Sequence, residues 1–519
     1  MQPDFTIFSG LTQFCLCCLP SLQTRTQTNI TPASFSHFSY NRFFAQFNQN
    51  GRSNLMAQII AESLEQHRSR SASVLVIVLI LALAILTMSG VGTTAILSLI
   101  GMAICAVCFF RREVRIDWWI FVPLAIYVAM NFISSYVIHD NPLYGYGRLH
   151  IIFLSVYAAT CCLRDREMQL LRVLCIGWAA FAASCAIIAF TVQSFEIAST
   201  RLSFVIGTPN GLAIFLVLSW FALQSSCMSP KDNRPEKLLA IVRRFEPVIL
   251  IALTMTLSIG SLCALAVGII VMSISKARQT RSLSETLNFV TTILARVFLC
   301  IVIGLLMYMS AERAQMPILC VVILLYIIVM ICLWDRFTQF LNGNQKFSLV
   351  VSVVGLVCIP FAIFMRPNVF ATFSERLAMV GNGIGYLGEN PLVGVGAFNW
   401  RALNLQDVDM YYNTNHIHNA FIHTGVEFGW IAMIALIVIA IRLFIKHYKQ
   451  AQHGEDAAFL FNMLTDTGFF YVGIVSTFIL TAGGSTTPAK KITNIGTKLL
   501  FAALFAIHLI IFWSYIAMF

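Results

Sequence analysis

Two arginines and a histidine have the side chains that a group-transfer reaction would need. Arg201 and Arg376 each carry a planar guanidinium, and two such groups can bind a diphosphate through paired hydrogen bonds without a metal ion. His418 lies in the longest polar stretch of the chain, and histidine side chains titrate close to neutral pH, as a general base should. These residue types indicate a site that binds an anion and accepts a proton.

Each of these residues also has a structural interpretation. An arginine just before an apolar run, as at Arg201, can anchor a helix in the lipid headgroups. Pro209 and Asn210 can form the first turn of a helix and nothing more. His418 stands where a loop enters an apolar run, and a histidine at such a boundary is more often structural than catalytic.

Two patterns near His418 resemble cofactor sites but lack the context that such sites require. His416, His418 and His423 are not spaced to put three imidazoles on one helical face, and no carboxylate cluster accompanies them, so no metal site is predicted. The glycines at 383–388 have the GxGxxG spelling, but no strand precedes them and no βαβ unit surrounds them. We therefore expect neither a metal ion nor an organic cofactor.

The segment around Arg376 is predicted to lie on the membrane surface. Apolar residues recur at helical spacing behind Ser374, a candidate helix N-cap; they are Leu377, Val380, Ile384 and Leu387. Asn390-Pro391 and Gly394-Val395-Gly396 indicate a stop and a tight turn. We expect an amphipathic surface helix that carries Arg376 at its start.

Composition places the rest of the chain in a membrane. Of the 519 residues, 58% are hydrophobic and 11% are charged, against about 25% charged in a soluble domain. The net charge of +11 fits cytoplasmic loops that face anionic lipid, so the expected partner is the lipid bilayer and not a nucleic acid.

Apolar runs of membrane length predict an all-α, polytopic helical membrane protein with about fourteen transmembrane helices. The runs are 73–89, 92–110, 117–138, 149–163, 170–192, 209–227, 247–257, 260–275, 289–309, 316–334, 347–365, 421–445, 466–482 and 497–517. Residues 1–70 are predicted to be a disordered cytoplasmic extension without the features of a signal peptide, with Met56 as an alternative start. Residues 71–519 form the predicted membrane domain. The fifteen cysteines, twelve of them inside apolar runs, suggest buried thiols and no disulfide framework.

Loops rich in Lys and Arg set the predicted topology, because such loops stay in the cytoplasm. They are 111–115, 164–166, 231–244, 276–281 and 442–449. All five lie on one side only if residues 247–275 cross the membrane twice. Both termini are then cytoplasmic, and a large outer loop at about 366–420 precedes the twelfth helix. The other outer segments are 139–148, 193–208, 310–315 and 483–496. Arg201, Arg376 and His418 all fall on the outer side.

Three motifs resemble those of the O-antigen ligase and O-antigen polymerase family of membrane glycosyltransferases. They are Arg201 with GTPNGLA at 207–213, Arg376 with ENPLVGVGAF at 389–398, and His418-Asn419 with Glu427-x-Gly429. The chain departs from the family pattern at Thr208, where an Asn is usual, and at Ser258-Ile259-Gly260, where many members have Ser-Arg-Gly. Six predicted spans separate Arg201 from Arg376, which favours a polymerase or a specialised relative over a compact ligase.

The resemblance implies a metal-independent, inverting glycosyltransferase of the cytoplasmic (inner) membrane that takes part in polysaccharide biosynthesis for the cell envelope. The donor would be a glycan on a polyprenyl diphosphate such as undecaprenyl diphosphate, and the acceptor a hydroxyl of a glycan, a lipid or a protein. The implied catalytic residues are His418, Arg376 and Arg201, and the implied substrate-binding residues are Asn210, Asn419 and Glu427. For Asn419 and Glu427, shaping the junction between loop and helix is the alternative role.

Two other classes of function remain as alternatives: a transporter or flippase of a lipid-linked glycan, and a non-catalytic assembly subunit. Transporters place ionisable groups or broken helices at the middle of the membrane. The predicted spans carry few charges, and Arg296 is the main exception. The sequence therefore favours the transferase.

Overall fold

The structure is a computed structural model that describes residues 73–88, 93–111, 114–196, 201–230, 235–364, 369–406, 414–448, 450, 453–482 and 490–517. The predicted N-terminal extension, residues 1–70, lies outside the described residues, as do Cys15, Cys17 and Cys18. The cysteines whose side chains the structure describes, from Cys105 to Cys332, are free thiols.

The described chain is almost entirely helical, which confirms the all-α, polytopic membrane class. Among the described residues, eight helices are long and apolar enough to cross a membrane. The helices are α1 (Ser73–Thr87), α2 (Thr94–Phe109), α3 (Trp118–His139), α4 (Gly147–Thr160), α5 (Asp165–Gln193), α6 (Pro209–Met228), α7 (Glu236–Arg243), α8 (Glu246–Met255), α9 (Ile259–Thr280), α10 (Leu283–Glu312), α11 (Pro317–Gly343), α12 (Gln345–Phe364), α13 (Val369–Tyr386), α14 (Asn399–Gln406), α15 (Ala420–Lys446), α16 (His453–Thr465), α17 (Val472–Ala482) and α18 (Asn494–Ile516). Two short strands, β1 (Val114–Ile116) and β2 (Lys490–Ile492), pair antiparallel.

Helix α6 forms the centre of the bundle. Every residue from Gly211 to Ser226 is buried, as expected of a helix that is apolar on all sides and has protein around it. The apolar surface of α11 is different, since Val322, Leu325 and Val329 are each more than half exposed. So many exposed aliphatic side chains would be unfavourable in water, and they mark a surface that faces lipid.

The chain reverses direction between α8 and α9, as the charge pattern predicts. Trp220 Nε1 donates a hydrogen bond to Glu246 at the start of α8 (3.0 Å), and the adjacent Phe221 packs against Gly268 in the middle of α9. Glu246 in α8 and Gly268 in α9 therefore lie at the same depth in the bundle. Leu257, in the turn between the two helices, has φ 50°. Helix α8 has only 10 residues, about 15 Å of helix, and does not span about 30 Å of hydrocarbon by itself.

Residues 453–482 form a hairpin, which contradicts the predicted single crossing at 466–482. Helices α16 and α17 have 13 and 11 residues, so each is too short to cross. Their far ends meet, because Thr481 donates a hydrogen bond to the carboxylate of Glu455. The tip at 466–471 points away from these ends. The prediction was wrong because hydropathy records the length of an apolar run but not its direction, and the Glu455-Asp456 pair concealed α16.

The strand pair corrects the predicted position of 483–496. Lys491 in β2 pairs with Arg115 in β1, so β2 lies on the same side of the bundle as β1, whereas the charge pattern predicts 483–496 on the side opposite 111–115. The hairpin explains this, because a chain that turns back at 466–471 returns to the side from which it came. Lys498 lies over the ring of Phe109 (5.9 Å), so α18 runs antiparallel to α2 and ends on the side opposite β1. The end of α18 and the segment 111–115 therefore lie on opposite sides of the bundle, whereas the charge pattern predicts both on the cytoplasmic side.

This arrangement predicts the labelling of single cysteines in a background without native cysteines. The side chains of Ile495 and Leu283 are 73% and 75% exposed, and Ala314 is exposed in the opposite loop. In intact cells, an impermeant thiol reagent should label Ala314→Cys but neither Ile495→Cys nor Leu283→Cys. Both of these should react after the membrane is opened. Equal labelling of Ile495→Cys and Ala314→Cys in intact cells would contradict the hairpin.

Candidate functional site

The carboxylate of Asp466, at the tip of the α16–α17 hairpin, joins two of the predicted site residues. His418 Nδ1 lies 3.1 Å from Asp466 Oδ1, and Arg376 Nη2 lies 3.5 Å from Asp466 Oδ2. Arg376 Nη1 also donates to the main-chain oxygen of Thr465 (2.7 Å). The structure thus brings Arg376 and His418 together at an acidic residue that the sequence analysis did not single out.

The tip owes its shape to polar residues that interrupt an apolar run. The main-chain N–H of Thr467 donates to Asp466 Oδ1 (2.8 Å), and the N–H of Asp466 donates to the carbonyl of Asn462 (2.7 Å). The first of these bonds fixes the carboxylate, and the second anchors Asp466 to the last turn of α16. The sequence Thr465-Asp466-Thr467-Gly468 is the signal that could have revealed this residue, because a charged group inside an apolar segment is a candidate for function.

Asn419 couples the histidine to the start of α15. Its side-chain oxygen accepts hydrogen bonds from the N–H groups of Phe421 and Ile422 (both 3.1 Å), which makes it the N-cap of α15. Its amide donates to the carbonyl of Leu464 (3.2 Å). The cap holds His418 against the hairpin tip, so the structure gives Asn419 a role at this junction.

The second and third motifs are in direct backbone contact. Val395 N–H donates to the carbonyl of Val426 (2.8 Å). Gly394 has φ 72°, and a Cβ there would lie 2.4 Å from the Glu427 main chain. Gly429 has φ 83°, and a Cβ there would lie 2.2 Å from the carbonyl of Leu392. Only glycine permits this approach, which is the physical reason for both Gly-x-Gly and Glu-x-Gly.

The side chain of Glu427 is fully buried, so it is not exposed to a substrate. Its main-chain oxygen accepts hydrogen bonds from Gly396 (3.1 Å) and from the hydroxyl of Ser134 (2.8 Å). One carboxylate oxygen lies 3.4 Å from His423 Nε2, which is also buried. These contacts give Glu427 a structural place where the loop, α3 and α15 meet.

Arg201 lies beside the turn between α8 and α9. Its Nε donates to the carbonyl of Thr256 (2.8 Å), and its Nη2 donates to Asn210 Oδ1 (3.0 Å). Asn210 therefore orients the guanidinium. Thr208 accepts the N–H of Gly211 through its hydroxyl (3.1 Å) and caps α6, as an asparagine at this position could.

The same turn connects Arg201 to the hairpin tip. A Cβ on Gly260 would lie 3.5 Å from Arg376 Nη1 and 3.7 Å from Asp466 Oδ2, and Gly260 is four residues after the Thr256 that Arg201 contacts. The two arginines thus flank one turn, with His418 reached through Asp466. All three predicted catalytic residues lie in this one region.

Arg376 lies near the middle of helix α13 along its length, not at its start. The predicted helix is confirmed, and its apolar residues Leu377 and Ile384 are 58% and 55% exposed, as a membrane-surface helix requires. The helix begins at Val369, so Ser374 is not its cap and Arg376 is not at its start. The GxGxxG glycines 383 and 385 lie within this helix, which is incompatible with a dinucleotide loop.

Electrostatics favour an ionised Asp466. Burial alone would raise its pKa, but the hydrogen bond with His418 and the charge of Arg376 outweigh burial and leave the pKa below the usual value. An ionised carboxylate can only accept, so the hydrogen bond with His418 requires the proton on Nδ1. Burial and the neighbouring His418 lower the pKa of His416 to about 4, so His416 is neutral at pH 7.

The chain was compared with protein-family models and with curated proteins, and neither comparison gives a match. Within the described part of the chain, no group of three or more His, Cys, Asp or Glu residues could hold a metal ion.

The ion pair at the tip predicts a pH-dependent contribution to stability. Because the Asp466 pKa is lowered in the folded state, its carboxylate stabilises the fold above the ordinary aspartate range and loses this effect as pH falls through the lowered value. Asp466→Asn should reduce the free energy of unfolding by about 1–3 kcal/mol at pH 7, and the difference should shrink below about pH 4.

Thermal unfolding of purified wild-type and variant protein across this pH range measures the effect. Asp140→Asn makes the same chemical change at an exposed position and should leave stability nearly unchanged. A loss for Asp466→Asn that is the same at every pH would argue against a charge-based role.

Proposed function

We propose that this protein is a membrane glycosyltransferase that moves a polyprenyl-diphosphate-linked glycan onto an acceptor hydroxyl at the outer face of the cytoplasmic membrane. The observation that carries the proposal is the contact of His418 with Asp466 at 3.1 Å, next to Arg376 on the other oxygen of the same carboxylate. A histidine oriented by a carboxylate is the usual arrangement of a general base, and adjacent guanidiniums suit a diphosphate leaving group.

In the proposed reaction, His418 Nε2 removes the proton of the acceptor hydroxyl while that oxygen attacks the anomeric carbon of the donor. The bond from the anomeric carbon to the diphosphate oxygen breaks, so configuration inverts and the electron pair leaves on the polyprenyl diphosphate. Asp466 stabilises the imidazolium that forms, without taking the proton itself. His418 then returns the proton to water, since its side chain is 17% exposed.

The two arginines interact with the leaving group in this proposal. Arg201 and Arg376 bind the diphosphate and stabilise the charge that develops as it departs. Arg376 already has Asp466 beside it, so part of its charge is compensated before the donor binds. Arg201 donates hydrogen bonds to the carbonyl of Thr256 and to Asn210 Oδ1, and these contacts fix the position of its guanidinium beside the same turn.

The α8–α9 turn and the α16–α17 hairpin support a site for a lipid-linked donor. Backbone that is not helical is tolerated at membrane depth only where protein or a water-filled cavity surrounds it. The α8–α9 turn and the α16–α17 tip both end beside Arg376. Such interrupted helices frame binding sites for charged groups in membrane proteins, and a diphosphate at the end of a lipid chain is a ligand of this kind.

The first functional prediction concerns His418. His418→Gln should lower transfer by about 10²–10⁴-fold, since glutamine cannot accept the proton, with expression and donor binding nearly unchanged. Asp466→Asn should lower transfer less and shift the pH profile of kcat, because it acts through His418. Transfer from purified lipid-linked donor to acceptor in detergent measures both.

Gln450→Ala, just before the start of α16 and therefore at the opposite end of that helix from the tip, serves as an expression-matched control that should retain full transfer. His416 is a poorer control than its sequence position suggests, because its Nε2 lies 2.6 Å from the Tyr146 hydroxyl and its loss would disturb packing. Full transfer in His418→Gln would overturn the mechanism.

The second functional prediction concerns the guanidinium fork. Arg201 makes two directed hydrogen bonds through Nε and Nη2, and a lysine cannot reproduce both. Arg201→Lys and Arg376→Lys should therefore lower transfer at least tenfold at equal protein levels, with a rise in donor KM in both variants. Normal donor KM in both variants would reduce the arginines to anchors of the fold.

A flippase is the second candidate, and one observation favours it. Arg296, the main charged residue within the predicted spans, has Nη1 2.7 Å from Glu246 Oε2 in a buried ion pair. Transporters also keep paired charges inside the bundle. Trp220 and Trp334 donate to the same carboxylate (both 3.0 Å). Reconstituted vesicles decide between the candidates, because a flippase moves the donor without consuming it and a transferase consumes it.

A further inference from the structure

We propose that Tyr144 and Phe398 form a platform on which a pyranose ring of the glycan stacks. This inference rests on the proposed function and deepens it, because it assigns a position to the saccharide that the catalytic residues leave unplaced. The two side chains are 45% and 39% exposed. Their ring centroids are 5.9 Å apart with planes at 81°, so they form an L-shaped surface of two ring faces.

The platform is connected to the catalytic loop by direct contacts. The ring of Phe398 lies 4.7 Å from that of Tyr146, which is itself buried. The Tyr146 hydroxyl lies 2.6 Å from His416 Nε2, two residues before His418. A saccharide on the platform would therefore lie beside the loop that carries the proposed general base. A short oligosaccharide bound there would extend along this loop.

The backbone at Phe398 supports a functional reason for its exposure. Phe398 has φ 64°, a left-handed conformation that is unfavourable for a bulky residue and is found where function or tertiary contacts require it. The preceding residues hold it there, since Gly396 N–H donates to the carbonyl of Glu427 (3.1 Å) and Asn399 N–H donates to the carbonyl of Gly396 (3.3 Å). The fold thus accepts strain to present this ring instead of burying it.

The chemistry of the surroundings fits a sugar. The C–H face of a pyranose is apolar and packs on an aromatic ring, while its equatorial hydroxyls need planar polar partners. Tyr144 also packs against His139, with ring centroids 4.2 Å apart and planes at 42°, which restricts its orientation. Asp140 and Arg401 are both exposed and lie four and three residues along the chain from Tyr144 and Phe398, and Arg401 donates to Asn415 Oδ1 in the polar loop.

Direct binding tests the platform independently of transfer. The probe is the glycan released by mild acid from the lipid-linked pool of the producing cell, observed by saturation-transfer difference NMR with protein in nanodiscs. Phe398→Gly removes the ring and suits the left-handed backbone, so it should fold at least as well as the wild type. Phe398→Gly and Tyr144→Ala should each weaken glycan binding about fivefold to tenfold, and Phe398→Tyr should bind normally.

Tyr136→Ala is the matched control, because Tyr136 is 60% exposed near the same end of α3 but has no ring contact with the platform pair. It should bind the glycan like the wild type. In transfer assays, a rise in KM for the lipid-linked donor would assign the platform to the donor glycan, and a rise in KM for the acceptor would assign it to the acceptor.

Several results would overturn the platform. They are normal glycan binding by both Phe398→Gly and Tyr144→Ala, an equal loss in Tyr136→Ala, and no binding of the glycan by the wild type. Failure of the proposed function is separate, since it would appear as glycan binding by the wild type without any transfer from the lipid-linked donor.

Discussion

The carboxylate of Asp466 is almost entirely withdrawn from solvent, and a charge in that position is stable only with partners that compensate it. His418 and Arg376 supply that compensation, and each arrives from a different part of the chain. The hairpin tip, the surface helix α13 and the start of α15 are therefore held in one arrangement by one buried charge. Arg376 and Asn419 also donate hydrogen bonds to the main chain at 464–465, so removing the charge would weaken the arrangement of the candidate site without abolishing it.

Other contacts hold in place the segments that surround the Asp466 ion pair. Asn419 caps α15 and binds the end of α16, and Gly394 and Gly429 let the loop backbone lie directly on α15. At the other end of the hairpin, Arg172 donates to the carbonyl of Thr481 (2.7 Å), which secures α17 inside the bundle. A re-entrant pair of short helices has no membrane-spanning length of its own, so it depends on such contacts at both of its ends.

Such an arrangement suits chemistry on a substrate that is part lipid and part saccharide. The diphosphate requires fixed positive charge, the acceptor requires a base, and the sugar requires an apolar face with polar edges. The arginines, the His418–Asp466 pair and the Tyr144–Phe398 platform offer these three features around one polar loop. These residues are spread along the chain from Tyr144 to Asp466, so only the folded bundle brings them together.

The sequence by itself determined the class of the protein, because an apolar run must become a helix in a membrane to satisfy its own backbone hydrogen bonds. It also determined the α8–α9 reversal, since basic loops do not cross, and it singled out Arg201, Arg376 and His418 by residue type. Only the tertiary structure decided that 453–482 turns back and that Asp466 joins His418 to Arg376. Those facts depend on contacts between residues far apart in the chain, such as Arg115 with Lys491, and no local pattern of hydropathy or charge encodes which segments will meet.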